Sequence, residues 1–489
     1  VPIFMNLLRT ELLIDGQFVP AQSGQTFTTY SACNLQPLAQ VAKAGLQDLD
    51  RAVVAARRAF DDGRWSGMQP TQRGRFLRDI AQRIRDQSRA LAELETRNSG
   101  KTIGNALNEV DAAANVFDYY AGAMDKFYGD TIPMGDGVLD FTLREPIGVI
   151  AAITPWNFPF MAAAWKVAPA LAAGCTMILK PASYSPLTAL ALGQIVIDAG
   201  VPAGVLNILP GPGATLGERI ATHPGIDKIT FTGETKTGAT LLKLGADDIK
   251  RITLELGGKS PNIIFADADL EKAAVQAVKA GFGNAGQSCS ARTRVFVERS
   301  VYDQFLARFV AATKEAKLGD PLEASTEIGP LISQSQWDSV HGYVQLGLAE
   351  GCTLAIGGAR PKGLDGAAFY APTILANARN DMRVAQEEIF GPVVVVIPFE
   401  SESDVVAMAN DNMYGLNGSV WTRDIARGLR VARALKSGMI SINSHGSASR
   451  YGYLAPFGGY KRSGLGRELG LHALALYTEI KNVFVDLEN

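Results

Sequence analysis

Residues 48–60 carry Leu49, Val53, Ala56 and Phe60 on one face, with Arg57 and Arg58 off it. That is the spacing of an amphipathic helix, which Asp62-Gly63 ends. After Pro70, Thr71 stands as a cap, and Phe76, Leu77, Ile80, Ile84, Leu91 and Leu94 recur at helical spacing as far as Gly100. The pattern predicts one long helix there. Residues 108–126 predict another, ridged by Phe117, Tyr120 and Met124. The texture then changes: residues 129–145 hold Pro133, Gly135 and Gly137 between short alternating runs, as a projecting hairpin would, with no obvious partner nearby. From Ile147 onward, short β-rich runs at 149–153, 176–180, 205–209, 228–232 and 252–256 alternate with helical stretches such as 185–200 and 214–222. Strand, helix, strand at this spacing implies a parallel, doubly wound sheet that binds ligands beyond the carboxyl ends of its strands. A second α/β region follows through residues 302–318, 334–350, 393–399 and 404–410. The chain closes on a helix-like piece and the apolar run Val483-Phe484-Val485, whose partner is not local.

A length of 489 residues is too great for one core and predicts two or three domains. Hydrophobic residues at 47% and charged residues at 20% are those of a globular chain. The net charge of −2, from 47 basic and 49 acidic residues, favours neither a nucleic-acid backbone nor an anionic membrane. Cys33, Cys175, Cys289 and Cys352 form no CxxC pair and the histidines no HExxH, so no metal site is expected. Few cysteines and no secretory leader in the short apolar start predict a reducing cytoplasm. No apolar run approaches a membrane span.

Candidate chemistry gathers at the strand ends. Cys289, in Gly286-Gln287-Ser288-Cys289-Ser290, falls on a turn between the helix predicted at 269–282 and the strand predicted at 294–298, where a substrate can reach the thiol. Glu255 stands between apolar residues at a strand end before two glycines, where burial would raise its pKa toward that of a general base. Pro155-Trp156-Asn157-Phe158-Pro159 stiffens the loop after residues 149–153 and fixes the Asn157 amide where it can donate to an oxyanion. Lys180 ends another strand on the ligand side. Gly211 to Gly217 opens a helix after a strand, but as GxGxxxG and not GxGxxG. Gly233 lets backbone approach a ligand at a second such junction, where Glu234 would repel a phosphate.

Pro-Trp-Asn at 155–157, Lys-Pro-Ala at 180–182, Phe-Thr-Gly at 231–233, Glu-Leu-Gly-Gly-Lys at 255–259, Gly-Gln-Ser-Cys at 286–289, Glu-Glu-Ile-Phe-Gly-Pro at 387–392 and Pro-Phe-Gly-Gly-Tyr-Lys at 456–461 together resemble the aldehyde dehydrogenase superfamily over nearly the whole chain. The resemblance implies two doubly wound α/β domains and a small β arm. Residues 1–127 and 147–256 would bind cofactor, 257–462 would form the catalytic domain, and 128–146 with 473–489 would form an oligomerisation arm of a homodimer or homotetramer. It implies Cys289 as nucleophile, Asn157 as oxyanion donor, Glu255 as the base that hydrolyses the thioester, and Lys166 and Glu468 as a proton path. NAD or NADP would meet Ile153, Thr154, Pro155, Trp156, Lys180, Ser183, Gly213, Gly217, Phe231, Gly233, Glu234, Leu256, Glu388 and Phe390. Phe158, Trp165, Phe282, Tyr451 and Phe457 would line a tunnel for an apolar or aromatic aldehyde. Gly283, where betaine- and amino-aldehyde members commonly carry tryptophan, lowers those substrates. Two departures bear on the cofactor: Glu234 replaces a common serine, and Ser183 replaces the glutamate of NAD-preferring members, so NADP use alongside NAD is expected. A CoA-acylating semialdehyde dehydrogenase and a non-catalytic relative are the alternatives. Glu255 and the intact Cys289–Asn157 pair argue against them.

Overall fold

The computed structural model describes residues 3–445 and 452–487. Its strands at Val149–Ile153, Thr176–Lys180 and Lys228–Thr232 lie parallel, joined by Leu206–Ile208 and Arg251–Glu255, at the centre of an eight-stranded sheet. Their side chains are almost continuously buried, because helices cover both faces of a parallel sheet. The sheet is closed at one edge by Leu12–Ile14 and Gln17–Val19. At the other edge is Gly464–Leu465, a return of the chain from the far side of the molecule. A second, seven-stranded sheet is built around Pro261–Ile264, Arg294–Glu298 and Val393–Phe399 and has its own apolar core.

Two expectations from the pattern change. The long helix after Pro70 is two, Pro70–Asp86 and Ser88–Ser99, broken at Gln87, which leaves helical geometry at φ −108° and ψ 11°. Ile84 and Leu91 are seven residues apart, two helical turns, so the apolar stripe runs across the break without showing it. The next helix begins at Ile103, five residues before the predicted start, because Thr102 accepts the Asn105 N–H as its cap.

The apolar tail and the lone hairpin find each other. Thr478–Asp486 pairs antiparallel with Val138–Pro146 over nine residue pairs, and Thr131–Ile132 completes a three-stranded arm. This arm leaves Leu139, Leu143, Ile480 and Phe484 exposed.

Candidate active site

Between the two sheets runs a cleft of about 1160 Å³, floored by strand ends of the first sheet and walled by the Cys289 turn of the second. The helix Leu270–Phe282 stops at Gly283, and Asn284, Ala285 and Gly286 follow at φ 53°, 54° and 71°. A non-glycine residue held left-handed costs about 1–2 kcal/mol, so this turn must be imposed by its surroundings. Asn284 Nδ2 donates to the carbonyls of Asn157 and Gln287, each at 3.2 Å, and the Gln287 side chain accepts the Ile332 N–H at 2.9 Å. At Gly286 a Cβ would stand 2.1 Å from the Gly391 carbonyl oxygen, which leaves room for glycine alone.

This turn delivers Cys289 half-buried into the cleft. Among the described residues its backbone N–H meets no acceptor. Asn157, buried in the loop stiffened by Pro155 and Pro159, spends one amide hydrogen on the Gln287 carbonyl at 3.0 Å and keeps the other. Burial, with Glu255 close by, pushes the Cys289 thiol well above its ordinary range. Glu255 is the last residue of Arg251–Glu255, and its Oε1 is buried without a hydrogen-bond partner. Its pKa is pushed up to about 8, first by burial and then by the Glu468 charge. Behind it, Lys166 Nζ donates to Glu468 Oε1 and, at 3.2 Å, to Thr230 Oγ1.

On the first sheet's side, the helices Gly213–Thr222 and Thr235–Leu244 begin at the cleft with no side-chain cap, so their first N–H groups face it. Among the described residues Lys180 Nζ, buried, donates only to the Pro181 carbonyl at 2.9 Å, and burial lowers its pKa to about 8. Glu388 Oε1 is held by the Gly258 N–H at 3.0 Å, and burial raises that carboxyl to about 7. Trp156 and Phe390 meet edge to face at 5.2 Å. Capless helix starts, an under-used buried amine and a carboxylate fixed by backbone fit the phosphates and ribose hydroxyls of a dinucleotide.

Residues 18–483 match the aldehyde dehydrogenase family. The chain belongs to the aldehyde dehydrogenase family. A betaine aldehyde dehydrogenase of Bacillus subtilis (strain 168) is 46% identical over 477 residues, covering 97% of this chain and 96% of that one. Human retinal dehydrogenase 2 is 43% identical over 487 residues, 99% of this chain and 93% of its own. A Staphylococcus aureus betaine aldehyde dehydrogenase, solved in complex with NAD+, superposes with a TM-score of 0.97 at 39% identity, covering 99% of this chain and 96% of that chain. Family membership fixes the coarse reaction, a cysteine-dependent, NAD(P)-linked oxidation of an aldehyde to its acid.

Most residues singled out in the sequence come together in this cleft. Ile153, Thr154, Ser183, Phe231, Gly233 and Glu234 line it, as do Phe158, Trp165, Phe457 and Glu468. Gly217 and Leu256 do not line it: Gly217 is a turn further along its helix, and Leu256 packs into the first sheet's core. Lys166 reaches it only through Glu468. Phe282, expected in the tunnel, is instead fully buried in the second core, stacked on Phe309 at 5.9 Å, because the inner face of its helix turns to the sheet. Tyr451 lies outside the described residues. Arg292, a buried cation in the cleft wall, went unmarked between the cysteine turn and the strand predicted at 294–298. So did Lys101, which lies under Phe158 and reaches Glu95 and Glu109. Nothing in the spacing marks either one. Among the described residues no helix is long and apolar enough to cross a membrane.

Proposed function

We propose that Cys289, Asn157 and Glu255 carry the oxidation in two chemical steps. The thiol proton passes to Glu255, and the sulfur attacks the aldehyde carbon. The alkoxide so formed is held by the free Asn157 amide hydrogen and the Cys289 N–H. NAD or NADP, when bound, supplies the electrophilic ring carbon that accepts hydride from this adduct, leaving a thioester on Cys289. Glu255, its proton passed on toward Glu468 and Lys166, then takes a proton from water, whose oxygen attacks the thioester and releases the acid. The observation that carries this reading is the convergence on one cleft of two unspent N–H donors, a thiol and a carboxylate oxygen with no partner. Lys180, Glu388 and the two helix starts are assigned to the cofactor.

For the substrate we favour an aldehyde with an apolar or aromatic body. Trp165 and Phe457 pack edge to face at 5.0 Å, and with Phe158 and Met161 they give the approach to Cys289 an apolar wall. A second reading, betaine aldehyde, is favoured by the relatives that carry that name. Against it, Gly283 leaves open space where an aromatic side chain would face a quaternary ammonium, and the Phe158 ring is already faced by Lys101 at 4.6 Å. The exposed apolar groups on the arm and its outer edge along residues 478–485, which no other described strand pairs, support a homodimer or homotetramer, which light scattering of the intact chain checks. A panel of aliphatic, aromatic and quaternary-ammonium aldehydes with NAD and NADP, followed by nicotinamide absorbance with and without CoA, tests the whole. Oxidation that requires CoA, or preference for betaine aldehyde, would overturn the corresponding part.

A further inference from the structure

Arg292 lies three residues beyond Cys289, lines the same cleft, and is only 6% exposed. Its guanidinium is bonded entirely to neutral acceptors: Nε to Ser419 Oγ at 3.1 Å, one terminal nitrogen to the Ser290 carbonyl at 3.1 Å, the other to Asn417 Oδ1 at 2.9 Å. Among the described residues these use three of its five N–H groups. Among the described residues no carboxylate comes within ion-pair distance, and the undescribed stretch 446–451 contains no acidic residue. Arg294, two positions on, is equally buried but spends its guanidinium on four acceptors, Asn380 Oδ1 and the carbonyls of Lys259, Met408 and Ala409, and does not line the cleft. Arg294 is a structural cation, whereas Arg292 is a buried charge with donors to spare facing a substrate path.

A buried cation with no counter-ion is costly, and the cost falls when an anion enters its site. The surrounding charges reinforce the sign. Lys279 lies at the rim, and His445, held by Gln276, has its pKa lowered by burial and then by Arg292 and Lys279. Of the carboxylates that line the cleft, Glu109 is engaged by Lys101 and accepts the Met161 N–H at 3.0 Å, and Glu468 is engaged by Lys166. Resting on the reaction proposed above, we infer that Arg292 selects aldehydes that carry a carboxylate on an apolar or aromatic body. The planar guanidinium would take both carboxylate oxygens while the carbonyl reaches Cys289.

The test compares matched pairs, 4-carboxybenzaldehyde with 4-methylbenzaldehyde and ω-oxo acids with alkanals of equal length, in the full chain with NAD and NADP. For at least one pair the carboxylate member is expected to have a kcat/KM about tenfold or more higher, and Arg292→Gln is expected to lower that ratio about tenfold while Arg292→Lys keeps part of it. Equal or better use of the neutral member in every pair, or a ratio untouched by Arg292→Gln, overturns the inference. A fall of the same factor for both members overturns it too, since it would make Arg292 a support for the Cys289 turn. A measurement that needs neither variant nor turnover is protection of Cys289 from iodoacetamide in the unmodified chain. Terephthalate is expected to protect and terephthalamide not, and equal effects reject the anion site. Absence of oxidation of any aldehyde would sink the reaction instead, and the protection result would still decide the site.

Discussion

Two carboxylates of this cleft, Glu255 and Glu468, are buried almost equally, at 3% and 5% exposure, yet their surroundings are opposite. Glu468 is tied down: its backbone bridges Phe457 in both directions and its Oε1 takes a bond from buried Lys166. Glu255 has one oxygen with nothing to bond and a pKa pushed up to about 8. Burial alone therefore does not distinguish a reagent from a strut. What distinguishes them is the partner the fold supplies: Glu468 is given a buried lysine, whereas Glu255 is given the Cys289 thiol and one oxygen without a bond, a cost the fold could have removed and has kept.

The largest break in this comparison removes the group that Glu255 faces. Cys289→Ser is expected to abolish aldehyde oxidation while cofactor still quenches protein fluorescence, and measurable turnover would reject the nucleophile. Glu255→Gln is expected to cut steady-state turnover by about 10²–10⁴-fold, the worth of a general base, while a first-turnover burst of reduced nicotinamide survives at a lowered rate, because the thiol has also lost its proton acceptor. Loss of the burst as well would place the limiting role of Glu255 in the first step and not in hydrolysis. Next in size is pH. With the base protonated below about 8, thioester hydrolysis should rise about tenfold per pH unit up to that value and flatten above it, and a flat profile from pH 6 to 9 would contradict the assignment.

The same pair separates in stability. Between the ordinary carboxylate range and about 8, the unfolded chain has released the Glu255 proton while the folded chain holds it, so stability falls as pH rises across that window. Glu255→Gln removes this penalty and is expected to raise the unfolding midpoint at pH 8 more than at pH 5. Glu468→Gln does the reverse: it strands Lys166 in the core and should cost about 3 kcal/mol. Denaturant unfolding of both variants checks the opposite signs, and two shifts of the same sign would erase the distinction drawn here.

Much of this arrangement was legible along the chain because it is local. The strands Val149–Ile153, Thr176–Lys180 and Lys228–Thr232 are apolar runs bounded by glycine and proline, and Cys289, Asn157 and Glu255 each sit at a punctuated strand or helix end. What was not legible depends on partners far away in sequence. The pairing of Thr478–Asp486 with Val138–Pro146 joins segments more than 330 residues apart, so neither strand reveals the other. Phe282 was expected in the tunnel because it falls at a position that the resemblance assigns there, but the rotation of its helix is set by Phe309 and the second core. Arg292 and Arg294 alternate like any strand, and only the contacts distinguish the saturated arginine from the one with donors to spare.

The smallest expected effect comes from placing a third carboxylate where it is neither deeply buried nor paired. Ser183 is half-exposed at the first-sheet end of the cleft, and its hydroxyl donates to the Gly211 carbonyl at 2.9 Å. That bond leaves the oxygen free to accept, from a ribose hydroxyl for example, and puts no charge in the way of a 2′-phosphate; Lys180, on the same wall, adds a positive one. NADP should therefore be used appreciably beside NAD by the unmodified chain. A glutamate here would be partly solvated, unlike Glu255, and would lack the lysine that holds Glu468. Its cost to the fold should be small and its effect confined to the ligand. Two like charges at ~4 Å repel by about 1–4 kcal/mol depending on screening, so Ser183→Glu should raise the Michaelis constant for NADP about tenfold or more and that for NAD by less than about threefold, with added salt narrowing the gap. If the unmodified chain already rejects NADP by several orders of magnitude, the preference is set elsewhere on this wall, and Glu234 at the start of Thr235–Leu244 is the next residue to change.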